Sequence, residues 1–250
     1  MRKFALITVI CITIVISGSA FSELPLDHLV AYWSFDKGKG GSAKDIVNGI
    51  KAQIKDANWV TGKYGKALEF DGQASFALVP EDVEELKNFP DGFTLEAWIM
   101  IKGPIDEYSA VVVRKHPEYT LEVRNDMLAR ATVNGMWGGE WLVGKTKLQP
   151  ETWYHLALTC DADARRLYIS GKKENEKAGV VLKPSSQPLG IGKNVSQDVY
   201  FFPGIIDEVK IWNIALTTDQ LQESMKGGEP GPGAVEPTDK LSTIWAEIKQ

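Results

Sequence analysis

Apolar and polar residues alternate along most of the chain, a pattern that predicts β-strands rather than helices. In residues 153–160, WYHLALTC, the odd and even positions are predicted to face opposite sides of a sheet. Residues 154–160 and 166–170 are expected to pair as an antiparallel hairpin around the polar turn 161–165. About a dozen such short runs, separated by Gly, Asn and Asp turns, predict an all-β sandwich or jelly roll.

One segment near the C-terminal end has a helical pattern instead. Thr217 and Gln220 have the spacing of a capping box, and Leu221 follows at the start of an apolar stripe. Residues 227–237 have the Gly/Pro composition of a stiff linker, which leaves residues 238–250 as a short tail. The apolar residues of this tail fit one helical face, so the tail is either an unpacked end or a docking element.

Residues 1–20 have the composition of a signal peptide. Arg2 and Lys3 precede an apolar run at residues 4–16, and small residues follow where a signal peptidase would cleave. The alternative is an uncleaved membrane anchor, although a spanning helix needs about 20 apolar residues. We therefore expect a secreted, periplasmic or cell-surface protein that touches the membrane only if this segment is retained. Residues 21–28 would then lead into the folded domain.

The charge of the chain argues against one class of partner. The formal net charge is -5 at pH 7, and loss of Arg2 and Lys3 on cleavage would make the protein more acidic still. An acidic protein is a poor match for nucleic acid. Only Cys160 lies beyond the signal segment, on the strand face that carries Leu156 and Leu158. We expect a buried thiol there and no intrachain disulfide. The composition leaves the oligomeric state open.

Six blocks of residues follow one another in a fixed order: YWSFD at 32–36, ALEFDG at 67–72, FTLEAW at 93–98, WYHLA at 153–157, LYISG at 167–171 and GIIDEVKIW at 204–212. Together they resemble the LamG-like jelly roll of the concanavalin A-like lectin/glucanase superfamily, over residues 29–226. The resemblance implies a two-sheet antiparallel sandwich with a convex and a concave face. It also implies a non-catalytic module that binds carbohydrate or protein, in some relatives with bound calcium.

The resemblance also suggests a metal site. Calcium takes about six to eight oxygen ligands, which an early strand end and a late strand can supply together. Asp36 and Asp207 match the positions that the resemblance indicates, and we predict a calcium site at this pair. The alternative is that both carboxylates are solvated, because the sequence contains no D-x-D-x-D-G loop.

A sugar-binding surface requires aromatic rings that are not part of the core, together with polar groups for the sugar hydroxyls. A glycine-rich loop carries two tryptophans, and polar residues accompany them, so the predicted ligand-binding residues are Trp137, Trp141, Glu140, Arg130 and Asn134. A neighbouring strand edge is expected to carry Tyr108, His116 and Tyr119. The alternative is that Trp141 is buried and Trp137 covers the sheet edge. The tryptophans on regular strands are predicted to be core residues: Trp33, Trp98, Trp153 and Trp212.

The sequence offers little for catalysis. The E-x-D-x-x-E spacing of sandwich glucanases does not occur, and Glu122 would have to meet Glu96 or Asp126 across strands to form a carboxylate pair. We therefore predict a non-catalytic recognition module with carbohydrate as the favoured ligand. The alternative is a structural or adhesive module that binds another protein at the cell surface. A glycoside hydrolase is a third and less favoured interpretation.

Overall fold

The computed structural model describes residues 23–80, 83–87, 89–135 and 140–227. Sixteen strands lie in these residues. In chain order they are β1 (Leu29–Trp33), β2 (Ser42–Lys44), β3 (Lys51–Lys55), β4 (Asn58–Thr61), β5 (Lys66–Asp71), β6 (Phe76–Val79), β7 (Phe93–Ile101), β8 (Ser109–Lys115), β9 (Tyr119–Arg124), β10 (Leu128–Val133), β11 (Leu142–Lys147), β12 (Trp153–Cys160), β13 (Ala164–Ile169), β14 (Lys172–Ala178), β15 (Leu189–Ile191) and β16 (Pro203–Trp212).

The strands form two packed antiparallel sheets, which confirms the predicted sandwich. Sheet 1 has the order β14-β13-β12-β7-β16-β5-β4, and β1 pairs with the second half of β16. Sheet 2 has the order β11-β10-β9-β8-β15-β6-β3-β2. Consecutive hairpin strands form the outer parts of each sheet, and pairs that are distant in the chain join them in the middle: β12 with β7, β7 with β16, β16 with β5, β8 with β15, β15 with β6, and β6 with β3.

The core lies between the sheets, where the alternating apolar residues meet. On β12, Leu156, Leu158 and Cys160 point into this core, as the sequence predicts. Ala157 faces the other way and joins a smaller apolar cluster on the outer face of sheet 1. Burial of this kind contributes about 25 cal/mol for each Å² of apolar surface removed from water. The hairpin of β12 and β13 is thus confirmed in both pairing and orientation.

The short strands β2 and β4 were not predicted, and neither were two mainly polar strands. The first, β14, has the sequence KKENEKA and is paired to β13 at one edge of sheet 1. Ser170 and Gly171 connect these strands with φ of 48° and 75°, the left-handed pair typical of a tight hairpin turn. The second, β3, places Lys51 and Lys55 on its exposed side. Conversely, the strand expected at residues 180–182 does not form.

The predicted helix is α1 (Thr218–Ser224), and it packs on the outer face of sheet 1. The hydroxyl of Thr217 accepts a hydrogen bond from the backbone N–H of Gln220, and the Gln220 side chain accepts one from the N–H of Thr217. This capping box is the one that the sequence predicts. Leu221 anchors the helix in the outer apolar cluster. Residues Glu84–Leu86 form a short 3-10 turn, in a segment where we expect a short helix at most.

Within the described residues, no helix is long and apolar enough to cross a membrane. The predicted signal peptide at 1–20, most of the linker at 227–237 and the tail at 238–250 lie outside the described residues.

Candidate functional site

An arginine and a glutamate on neighbouring strands form the base of the candidate site, on the outer face of sheet 2. Glu122 and Arg130 are direct partners in the register of β9 and β10. Because Leu121 and Val123 point into the core, Glu122 must face outward. Its side chain is nevertheless fully buried, and one carboxylate oxygen contacts both Nε and Nη2 of Arg130. The glutamate therefore fixes the direction of the guanidinium.

Two aromatic rings enclose this guanidinium. Its central carbon lies 3.8 Å from the ring centroid of Trp141 and 4.7 Å from that of Tyr108. Both distances suit cation–π contacts. Trp141 is half-buried, whereas Tyr108 is 52% exposed and is one of the two large hydrophobic residues that stand out on the described surface. We call Tyr108, Glu122, Arg130 and Trp141 the aromatic–arginine site.

Buried polar atoms at this site lack hydrogen-bond partners among the described residues. They are Oε2 of Glu122 and Nε of the neighbouring Arg114. Burial lowers the pKa of Arg114, while the charge of Glu122 opposes that shift. Most buried polar groups in native proteins are paired. Buried atoms of Glu96 and His155 on sheet 1 also lack partners among the described residues, so it is the exposed ring of Tyr108 that distinguishes this surface.

Three of the predicted ligand-binding residues are not part of the aromatic–arginine site as defined here: Glu140, Asn134 and Trp137. Glu140 is 66% exposed and contacts Arg165 of sheet 1 at 3.1 Å, so it lies away from Trp141. The Asn134 side chain donates to the carbonyl of Val181 at 2.7 Å and accepts from the N–H of Lys183 at 2.8 Å. Trp137 lies outside the described residues.

Several further predictions about aromatic residues can be compared with their positions. Tyr119 lies in the core rather than at a strand edge, with its ring 4.7 Å from that of Phe93. Trp153 is only half-buried, although it was predicted to be core. Tyr119 and Trp153 each begin a strand. Alternation alone does not show whether the opposite sheet extends far enough to cover such a residue. The other core tryptophans are buried as expected: Trp33, Trp98 and Trp212.

The two aspartates of the predicted calcium site hold one turn of the chain. Asp207 accepts a hydrogen bond from the N–H of Tyr64 at 3.1 Å, and Asp36 accepts one from the N–H of Lys66 at 2.9 Å. Burial, then the charges of Glu208 and Asp36, raise the pKa of Asp207 to about 8. Oε1 of Glu208 is buried without a hydrogen-bond partner among the described residues.

No group of three or more His, Cys, Asp or Glu residues in the described part of the chain is arranged to hold a metal ion. The oxygen chemistry at Asp36 and Asp207 nevertheless fits calcium, since carboxylates are its preferred protein ligands. Each carboxylate can accept more interactions than these backbone contacts use. The two residues are thus brought to the same turn.

A second buried glutamate lies on the outer face of sheet 1. Oε1 of Glu96 accepts hydrogen bonds from Nε1 of Trp212 at 2.8 Å and Oγ of Ser224 at 2.5 Å. Its other oxygen lies 3.0 Å from Nε2 of His155. Glu96 and Glu122 are therefore on different sheets and face opposite sides of the sandwich, so they do not form a carboxylate pair.

The chain was compared with protein families, with curated proteins and with solved structures. Residues 70–222 match the Laminin_G_3 model of the concanavalin A-like lectin/glucanases superfamily, which is more than half of the chain. The chain belongs to this superfamily. The comparison with curated proteins gave no match.

The similar solved structures include both binding domains and parts of enzymes. Domain 4 of AbnA, a GH43 extracellular arabinanase from Geobacillus stearothermophilus in complex with arabinotriose, is 20% identical with a TM-score of 0.61, covering 78% of this chain and 97% of that one. Trypanosoma rangeli sialidase in complex with sialic acid is 17% identical with a TM-score of 0.61, covering 82% and 35%. Botulinum neurotoxin type C, described as interacting with two ganglioside molecules, is 11% identical with a TM-score of 0.60, covering 80% and 51%.

These identities show the fold alone. The chain spans nearly all of the arabinanase domain, but only about a third of the sialidase chain and half of the neurotoxin chain. The superfamily fold therefore occurs both as a separate domain and as one part of larger proteins.

Among the site residues, the sequence indicated Arg130, Trp141 and Tyr108. It did not indicate Glu122 as the partner of Arg130, or Arg114 beside them. A signal was present: Glu122 is the acid at the centre of β9, between apolar neighbours that face the core. An acid at such a position requires a partner on an adjacent strand.

Proposed function

We propose that this chain is a non-catalytic carbohydrate-binding module, exported through residues 1–20, and that it binds its ligand at the aromatic–arginine site. The observation that carries the proposal is the half-exposed ring of Tyr108 beside Arg130 and Trp141. A sugar ring presents C–H groups that pack on an aromatic face and hydroxyls that accept hydrogen bonds from a guanidinium. Glu122 positions Arg130 for this contact from below.

The separation of the carboxylates supports binding rather than catalysis. Cleavage of a glycosidic bond needs two carboxyl groups about 5 to 9 Å apart across the bond. At this site Glu122 is buried beneath Arg130, while Glu96 belongs to the other sheet. The nearby Asp126 is paired with Arg124 at 2.7 Å.

The test is a glycan-array screen of the folded chain, followed by titration of the bound glycans. Tyr108→Ala and Trp141→Ala are expected to weaken binding at least about tenfold, equivalent to about 1.4 kcal/mol. Val181→Ser is the matched control, because Val181 is also exposed, at 71%, and lies on a different segment. A folded chain that binds no glycan, or binds equally after Tyr108→Ala, would contradict the proposal. If the folded chain binds no glycan on the array, the result also favours the alternative that the chain binds another protein.

The proposal includes a structural calcium ion held by Asp36 and Asp207. An ion there would join the first strand, the turn at residues 62–66 and β16, and would stabilise the fold by binding only the native state. We expect calcium to raise the melting temperature of the wild-type chain by several degrees relative to chelator, and Asp207→Ala to remove the difference.

Asp71→Asn is the control for the calcium test. Asp71 also lies at a strand end, but its carboxylate accepts hydrogen bonds from the N–H groups of its own turn. This variant should lower the melting temperature yet keep the response to calcium. Identical melting of the wild-type chain in calcium and chelator would refute the metal site and leave the carbohydrate proposal intact.

A further inference from the structure

A second cluster of cations and aromatic rings lies on the same outer face of sheet 2. Lys55 of β3 is directly opposite Phe76 of β6, and its Nζ lies 5.6 Å from the Phe76 ring centroid. Nζ of Lys193 lies 4.0 Å from the same ring and 5.0 Å from the ring of Phe201. We call Lys55, Phe76, Lys193 and Phe201 the lysine–phenylalanine cluster.

The two sites are connected across the sheet. Arg130 pairs with Glu122, which pairs in turn with Val111 of β8. The N–H of Val111 donates to the carbonyl of Tyr200 at 2.9 Å, so the segment that carries Phe201 runs beside this strand. Five strand intervals separate β10 from β3 and six separate it from β2, distances of about 24 and about 29 Å at about 4.8 Å per strand. One extended ligand lying across the strands would reach both.

The charge at this end of the sheet contrasts with that of the whole protein. Residues 37–55, which lead into and form β2 and β3, contain five lysines and one acid, a net of +4, although the chain carries -5. The acid, Asp45, is buried and accepts hydrogen bonds from the N–H groups of Val47 and Asn48. It therefore points into the protein rather than toward the surface lysines.

Three of these lysines line the outer face. Lys44 and Lys51 are direct partners in the register of β2 and β3, both exposed, and Lys55 follows on the same side of β3. No acid in the described part of the chain forms an ion pair with any of the three. Like charges directly opposite each other destabilise a sheet, and a bound anion would remove that repulsion.

We propose that the ligand is an acidic oligosaccharide, with carboxylate or sulfate groups on Lys44, Lys51 and Lys55 and a sugar ring at Tyr108 and Trp141. This inference rests on the proposed carbohydrate-binding function. Lysine ammonium groups bind anionic groups as point charges, and Lys44, Lys51 and Lys55 would also steer such a ligand to an otherwise acidic protein. Lys193 is not counted among them, because it forms an ion pair with Asp198. An uncharged glycan would gain nothing from the lysines.

The experiment compares polysaccharides that differ only in charge. The probes are polygalacturonate with its methyl ester, dextran sulfate with dextran, and inorganic polyphosphate. We expect at least one acidic glycan to bind about tenfold more tightly than its neutral partner, and its affinity to fall as added salt screens the charges. Polyphosphate should bind more weakly than that glycan, because it has no ring to stack on Tyr108.

A pair of double variants tests the lysines themselves. Lys51→Gln/Lys55→Gln should weaken binding of the acidic glycan about tenfold. Lys172→Gln/Lys173→Gln removes the same charge from β14 of sheet 1 and should leave binding unchanged. Equal effects of the two double variants would overturn the assignment of the lysines.

The outcomes distinguish this inference from the proposed function. If acidic and neutral partners bind equally and Tyr108→Ala still abolishes binding, the carbohydrate module stands and the acidic ligand is wrong. If polyphosphate binds as tightly as the acidic glycans, the surface recognises charge alone and the inference also fails. If the folded chain binds no glycan of either kind, the proposed function fails with it.

Discussion

The outer faces of the two sheets each contain a fully buried glutamate, but these residues have different surroundings. Glu96 on sheet 1 is surrounded by Trp212, Ser224 and His155. Glu122 on sheet 2 contacts Arg130 through one oxygen. The second oxygen of each glutamate lacks a hydrogen bond among the described residues, but that of Glu96 lies 3.0 Å from Nε2 of His155. A buried charge costs stability unless its partners compensate for lost hydration. The fuller set of partners identifies Glu96 as a structural residue.

The covering of each face explains the difference. On sheet 1, helix α1 lies over the strands, and its C-terminal end is held by Lys210, which donates to the carbonyl of Ser224 at 2.8 Å. Nε1 of Trp98 and the hydroxyl of Tyr64 both donate to the carbonyl of Met225 at 3.1 Å. On sheet 2, Tyr108 remains exposed above Arg130. A buried glutamate thus lies under helix α1 on sheet 1, whereas on sheet 2 it lies beneath the proposed binding surface.

The strongest test of this comparison is removal of each glutamate. Glu96→Ala should lower the free energy of unfolding by about 3–5 kcal/mol, because it leaves the buried groups of Trp212, Ser224 and His155 without their acceptor. Glu122→Ala should cost about 1–2 kcal/mol, since Arg130 keeps its contacts with two rings. Urea unfolding of both variants measures the difference. Equal losses would show that both glutamates are structural.

Acid unfolding should also depend on the carboxyl group of Glu96 on sheet 1. Burial alone would raise the pKa of Glu96, but His155, Lys210 and Ser224 lower it to about 2. A depressed carboxyl pKa stabilises the fold above the ordinary value near 4.5, and the contribution is lost as the pH falls toward 2. The expected loss is about 3 kcal/mol.

Chemical unfolding of the wild-type chain and Glu96→Gln over this acid range measures the effect. The variant should have the flatter profile, because it has no carboxyl group to protonate at this position. Parallel profiles would mean that Glu96 does not control the acid response.

A smaller effect on stability is expected at helix α1, which covers sheet 1. Thr217→Ala removes the N-terminal cap of α1 and should destabilise the protein by about 1 kcal/mol. Hydrogen exchange at the amides of α1 should increase, while glycan binding at sheet 2 should not change. Thr146→Ala, on β11 and away from the helix, is the control. Weakened glycan binding in Thr217→Ala would show that the two faces are coupled.

The smallest effect on stability is expected at the exposed ring itself. Tyr108→Ser should change the free energy of unfolding by no more than about 0.5 kcal/mol, because the side chain is half-exposed. Thermal unfolding checks this value beside the binding titration. A large destabilisation would make Tyr108 a structural residue and would weaken its assignment to recognition.

Much of the fold follows from local patterns. The alternation in β12 gives both its strand and the side that faces the core, since a period of two leaves no other way to bury Leu156 and Leu158. The capping box at Thr217 and Gln220 likewise places the helix start. Four strands escape this reasoning: β2, β3, β4 and β14. Three of them, β2, β4 and β14, are edge strands, which form through pairing and need no apolar face, and β3 lies next to the edge strand β2.

Only part of the candidate site could be predicted from the sequence. Alternation indicates that Arg130 faces away from the core, and the glycine-rich loop suggests that Trp141 reaches the surface. Neither pattern shows that Glu122 lies opposite Arg130, or that Tyr108 closes over it from another strand. Glu140 is next to Trp141 in sequence yet contacts Arg165 of the other sheet at 3.1 Å, which no local pattern indicates.

The sequence by itself determined most of the apolar strands and which sides of them enter the core, because both depend on side-chain period and burial. The tertiary structure decided which outward residues meet, since strand order and register bring together residues far apart in the chain. It also decided that α1 covers sheet 1 and leaves Tyr108 exposed on sheet 2. Long-range pairing therefore separates the structural glutamate from the one beneath the proposed binding surface.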